Sequence, residues 1–177
     1  MNVGACRAGS RKMRLAQRLK EALPPVLPTL ACALGWGISA GVCALTGLML
    51  GGWLTPSNVR TVILLFALGG FLAFPFGLFF ARLLSQFRAT GETAFAAAFI
   101  AFTVTTVAMT AALYGLQYRS YYAQWHADAF TRIWFLQFTH TLAAAAYEFA
   151  ALGLRLYFPL GFVALLAASL WFARRSR

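Results

Sequence analysis

His140, Glu148 and Arg155 are the side chains through which this chain could do chemistry. They lie between Ile133 and Ala173, in a stretch otherwise apolar enough to live in lipid. On an uninterrupted helix Gln137, His140, Thr141, Ala144, Glu148 and Arg155 fall along one stripe, because residues seven apart return to nearly the same face. A lone carboxylate inside hydrocarbon costs at least about 3 kcal/mol, so its presence there implies a site; with His140 it would form a proton or cation relay. In the headgroups the same carboxylate implies nothing functional, and Arg155 at the interface reaches lipid phosphate.

Which of these holds depends on how the stretch crosses the bilayer. It is too long to cross once and only just long enough to cross twice. In one reading a single span covers about 153–173, and residues 117–152 stay on the outer face as an interfacial or re-entrant segment. In the other, spans at 133–152 and 157–173 are separated by a break near Arg155–Pro159, and Glu148 lies in hydrocarbon. The distribution of basic residues favours the first. With the N-terminus inside, four spans leave eleven Lys and Arg inside and four outside, whereas five spans leave nine and six.

The rest of the chain sets the frame. It is 61% hydrophobic and 11% charged, with a mean hydropathy of +0.71. Soluble domains are about 45–50% apolar and about 25% charged, and a soluble domain this small has too little interior to hide such a composition. The expected fold is all-α: a polytopic membrane protein of four transmembrane helices, or alternatively five. A basic amphipathic cytoplasmic segment, 1–28, precedes one helical bundle, 29–177. The net charge of +11 does not indicate nucleic acid, since six of the fifteen Lys and Arg lie in the first twenty residues and three in the last four. These are the flanks of membrane spans.

Ser10 fits an N-cap for a helix in which Leu15, Leu19, Ala22 and Leu23 form one face and Arg11, Arg14 and Arg18 another, the pattern of a helix on an anionic membrane surface. Pro24, Pro25 and Pro28 stop it. Spans follow at about 30–54, 61–84 and 93–116. In the first, Ala33, Gly37 and Gly41 recur every four residues; in the second, Gly69, Ala73, Gly77, Ala81 and Ser85 do so. Within lipid, helices associate by close backbone approach, and small residues at this interval make the groove, for a neighbour in the same chain or in another protomer. Phe74-Pro75 should kink the second span. In the third, Thr103, Thr106 and Thr110 share a face, either bonding their own i−4 carbonyls or forming a polar seam. The segment QYRSYYAQWHADAFTR is an interfacial aromatic belt, with His126 and Asp128 as wet surface groups.

These residues suggest a non-enzymatic inner-membrane component: an accessory or scaffolding subunit, or a homo-oligomeric bundle. Its partners would be the lipid bilayer and a membrane protein or a second copy of itself, not nucleic acid. The alternative is a small oligomeric transporter or channel using the His140/Glu148 stripe. An enzyme is disfavoured because the four acidic residues are scattered and no nucleophile–base pair appears. No cofactor or metal is expected: Cys6, Cys32 and Cys43 form no cluster, and His140 is the one histidine placed for a haem. Thirteen Arg to two Lys, with abundant Ala, Gly and Leu, suggest a GC-rich bacterial genome. Both termini are expected in the cytoplasm.

Overall fold

The computed structural model describes residues 17–53, 56–86 and 90–175. The described residues are mostly helical, with no strand among them. The Ser10 cap, the Leu15, Arg11 and Arg14 positions, Arg88 and the proposed end of the first span at residue 54 lie outside them. Residues 17–22 form a helix that buries Ala22 against the bundle.

The first long helix, α1 (Val26–Leu50), starts directly after Pro25, earlier than residue 30. Pro28 does not delay it, because the first turn of a helix needs no donor from that position. It ends four residues before 54 for a local reason. Gly52 takes φ +69°, Trp53 N–H bonds Leu48 O at 3.0 Å and Gly52 N–H bonds Met49 O at 3.2 Å. This is a Schellman ending, which glycine adopts without Cβ strain. The second helix, α2 (Pro56–Ser85), runs through Pro75. The third, α3 (Gly91–Tyr122), opens on a reciprocal cap in which the Thr90 and Thr93 side chains each bond the other's backbone N–H at 3.3 Å. It continues six residues past 116, so the tyrosines of the aromatic belt stand on helix.

The small-residue seams are occupied from within the same chain. A Cβ on Gly37 would meet Ala67 O at 2.7 Å, and one on Gly41 would meet the Ala67 methyl at 3.2 Å, so α1 rests on α2. On the other side of α2, a Cβ on Gly69 would meet the Thr110 Cα at 3.0 Å, and one on Gly77 the Phe102 ring at 2.6 Å. Ala73 and Ala81 are fully buried. One core cluster joins Ala33, Phe74, Leu78, Ala98, Phe102 and Phe172, with Phe74 and Phe102 stacked at 5.2 Å. Outward, the helices present Leu34, Ile38, Leu64, Leu68, Ile100 and Val104. An apolar exterior around an alanine- and glycine-rich interior suits a lipid solvent.

The last stretch departs from a single span at 153–173. A helical run from Arg132 to Tyr157 comprises α4 (Arg132–Glu148), a π turn (Phe149–Gly153) and a 3₁₀ turn (Leu154–Tyr157). It meets α5 (Leu160–Arg175) at Phe158–Pro159 with a 72° bend, so the break falls inside that interval. Proline ends the run because it offers no N–H and biases its predecessor to extended backbone. Phe158 has ψ 140°. At sixteen residues α5 is shorter than the roughly 20 a span needs. Three helices, Val26–Leu50, Asn58–Ser85 and Gly91–Trp125, are long and apolar enough to cross a membrane, and the bent pair makes up to four if it counts as one span.

The seams yield a direct test. Gly69→Leu must push into Thr110 and Gly77→Leu into Phe102, whereas a Cβ at Gly35 meets nothing within 4 Å. The first two variants are expected to lose the monodisperse detergent-solubilised protein. Gly35→Leu should keep the wild-type melting temperature within about 2 °C. Size-exclusion chromatography and a thermal melt distinguish them; an intact Gly69→Leu protein would overturn the α2–α3 contact.

Candidate functional site

Glu148 ends α4 immediately before the π turn, facing α3. Its carboxylate is held by two phenols one helical turn apart: Tyr114 donates to Oε2 at 2.8 Å and Tyr118 to Oε1 at 3.3 Å. Both hydroxyls come from the C-terminal half of α3, where residues i and i+4 share a face. The Phe149 ring packs 6.0 Å from Tyr114 and 6.2 Å from Phe66, closing the apolar side of the site.

The same α3–α4 contact continues toward the connecting loop. The Arg119 guanidinium lies over Phe138 at 4.9 Å and Trp134 at 5.7 Å, its charge offset by ring faces. Gln137 Oε1 accepts from Ala127 N–H at 2.8 Å and pins the loop to α4. Thr141 donates its one proton to Gln137 O at 2.6 Å, so the 3.2 Å contact between Thr141 Oγ1 and His126 Nε2 has the ring nitrogen as donor. His126 Nδ1 is then a buried acceptor without a hydrogen-bond partner among the described residues.

Of the residues expected to form a stripe, the structure brings Gln137, Thr141 and Glu148 to the bundle and leaves His140 and Arg155 exposed on other faces. His140 does not meet Glu148: at about 100° per residue, the eight steps from one to the other place it about 80° away around the helix. Arg155 departs for a different reason. A seven-residue spacing keeps its face only on an uninterrupted α-helix, and between Glu148 and Arg155 the backbone passes through π and 3₁₀ turns, which change the number of residues per turn. His126 is half-buried and bonded rather than a wet surface group; Asp128 is exposed. The residues that meet Glu148 were missed by reading α4 alone. The signal available was the i, i+4 series Tyr114, Tyr118 and Tyr122 on α3.

A second feature lies where the last stretch bends. A side cavity of about 220 Å³ opens between α1, α3 and the Leu154–Leu165 segment, lined mainly by Trp36, Phe102, Val107, Phe158 and Phe162. Two bonds brace it: Trp36 Nε1–H donates to Thr106 Oγ1 at 3.0 Å, and the Tyr157 hydroxyl donates to Thr110 Oγ1 at 2.7 Å. Thr103 and Thr110 also donate to their own i−4 carbonyls, at 2.7 and 2.8 Å. The threonine face therefore does both things expected of it, internal back-bonding and linking to neighbouring helices. The cavity offers apolar contact surface, whereas the acid–base groups sit at the Glu148 contact. Among the described residues no group of three or more His, Cys, Asp or Glu could hold a metal ion.

No protein-family model, no curated protein and no solved structure matches this chain.

The Tyr114–Glu148 bond predicts a measurable coupling. Bonds between transmembrane helices average about 0.6 kcal/mol and reach about 1.7, and those to charged groups are the stronger ones. A Tyr114→Phe/Glu148→Leu double-mutant cycle, followed by unfolding in mixed micelles, should return about 1 kcal/mol of coupling. A cycle that closes to zero would remove this bond from the interactions that hold α4.

Proposed function

We propose that the protein is a small, non-enzymatic integral inner-membrane component, an accessory or scaffolding subunit that works by holding a partner. What supports this is the division of labour on α4. One side, through Glu148, Phe138 and Gln137, is fastened to α3 and its loop. The other carries exposed apolar side chains, with Ile133 at 61%, Leu136 at 64% and Tyr147 at 75% exposure. A fixed helix with an uncovered apolar face suits a second helix, whether from another protein or from a second copy of this chain. Because the glycine seams are consumed within the protomer, self-association would use this face, and Gly77→Leu would report on folding rather than on assembly. With both termini in the cytoplasm, α4 would stand at the outer side of a bacterial inner membrane, in keeping with the bias of basic residues.

The test is extraction of tagged protein from native membranes in mild detergent, followed by native mass spectrometry. A stoichiometric partner or a defined homo-oligomer is expected, with Leu136→Glu and Tyr147→Glu releasing it while leaving the melt unchanged. A monomer that carries no partner would overturn the proposal.

A specific observation favours a second reading, a small transporter or channel. Glu148 lies between two phenols and a π turn, a kind of interruption frequent at functional sites, and an ionisable group at membrane depth marks a pathway by default. Here the relay would run through Tyr114 and Tyr118 instead of His140. Proteoliposomes should then show a proton or monovalent-cation flux that Glu148→Gln abolishes. Absence of flux from the wild-type protein would dismiss this reading.

A further inference from the structure

At the pole of the bundle opposite Glu148, the N-terminal helix meets the ends of α2 and α5. Two bonds fasten it there: Arg82 Nη1 donates to Leu23 O at 3.2 Å, and Gln86 Nε2 donates to Arg18 O at 3.2 Å. The junction leaves a pocket of about 290 Å³, with Arg82 and Ser85 of α2 and Arg175 of α5 on its walls beside Gln86. Its apolar lining comes from Leu78, Trp171 and Phe172. The Arg175 guanidinium lies 4.6 Å from the Trp171 ring centroid, which holds the charge at the pocket edge. Gln86 Oε1 is buried and without a hydrogen-bond partner among the described residues.

We propose that this pocket binds the phosphate headgroup of an anionic membrane lipid. Arginine pairs with phosphate oxygens through a planar fork of donors, and the two arginines outnumber the single carboxylate in the pocket, Glu21. Glu21 Oε1 accepts from Gln17 Nε2 at 3.2 Å along its own helix. The lining distinguishes a lipid from a free anion. Trp171 and Phe172 face the pocket at the end of a helix whose sides are apolar, so the ligand that suits it is charged at one end and greasy at the other. A basic cluster where helices leave the bilayer, set in a pocket between them, is an arrangement that attracts anionic headgroups. The N-terminal helix supplies one wall through Glu21, so a bound headgroup would touch three helices at once.

The experiment titrates the full-length protein in mild detergent with phosphatidylglycerol or phosphatidylcholine of identical acyl chains and counts retained lipids by native mass spectrometry. Phosphatidylglycerol should be retained at least about fivefold better than phosphatidylcholine. Arg175→Gln should lower that preference by about fivefold, the weight of one arginine at an anionic surface. Arg82→Gln should act in the same direction, but Arg82 also holds Leu23 O, so Arg175→Gln is the variant that reads the site without loosening the N-terminal helix. Glu21→Gln, which removes the opposing charge, should raise the preference. Equal retention of the two lipids, or an Arg175→Gln protein that retains phosphatidylglycerol like the wild type, would overturn the proposal. So would displacement of the lipid by inorganic phosphate at equal concentration, which would make the ligand a free anion.

Discussion

Everything in this fold rests on how closely α2 approaches its two neighbours. Gly37 and Gly41 bring α1 against Ala67, and Gly69 and Gly77 bring α3 against the opposite side of the same helix, at separations that leave no room for a methyl group at Gly69, Gly37 or Gly77. In water such contacts would be minor beside hydrophobic burial. In lipid, the tails are as apolar as the side chains, and dispersion at short range carries the association. The larger side chains then fill what the glycines leave. Phe102 reaches across to Phe74 and Trp36, at 5.2 and 5.7 Å, and completes the core between α1, α2 and α3.

On this three-helix frame the last stretch is held by polar bonds of a different kind. Tyr114 and Tyr118 hold Glu148 and Thr110 receives Tyr157, while within the frame Thr106 receives Trp36 of α1. All four anchor residues stand on α3, so this one helix positions both the carboxylate and the cavity. Between the two lies the π turn, in which a Cβ on Gly153 would meet the buried Phe149 ring at 2.6 Å. The polar site and the side cavity thus lie at the two ends of a single irregular segment.

What could be read from the sequence followed from local rules. The four-residue recurrence of glycine and alanine is a helix property: Gly37, Gly41, Gly69 and Gly77 lie at helix contacts, and Ala33, Ala73 and Ala81 lie in the core. The break near Pro159 is likewise local chemistry, whereas the Gly51–Gly52 turn that ends α1 was not read from the sequence. The partners of Glu148 were not legible, because Tyr114 is 34 residues away and only the fold brings the two together. The stripe failed for a related reason. Counting by sevens assumes unbroken α-helix, and nothing in FAALGLRLY announces a π turn followed by a 3₁₀ turn. His126 was misjudged because its neighbour Thr141 lies across a loop, outside the reach of any helical spacing.

The shortness of α5 has a consequence for the surrounding lipid. Sixteen residues rise about 24 Å, against about 30 Å for the hydrocarbon of a typical bilayer, while α2 at thirty residues rises about 45 Å. The last helix is therefore short beside the central one. With α5 set in a bilayer, lipids beside it would compress, or the bundle would tilt, to keep the apolar belt continuous, at a fraction of a kcal/mol for each ångström of mismatch. That mismatch would be smaller in a thin or locally deformed bilayer, and beside another protein that deforms it in the same sense.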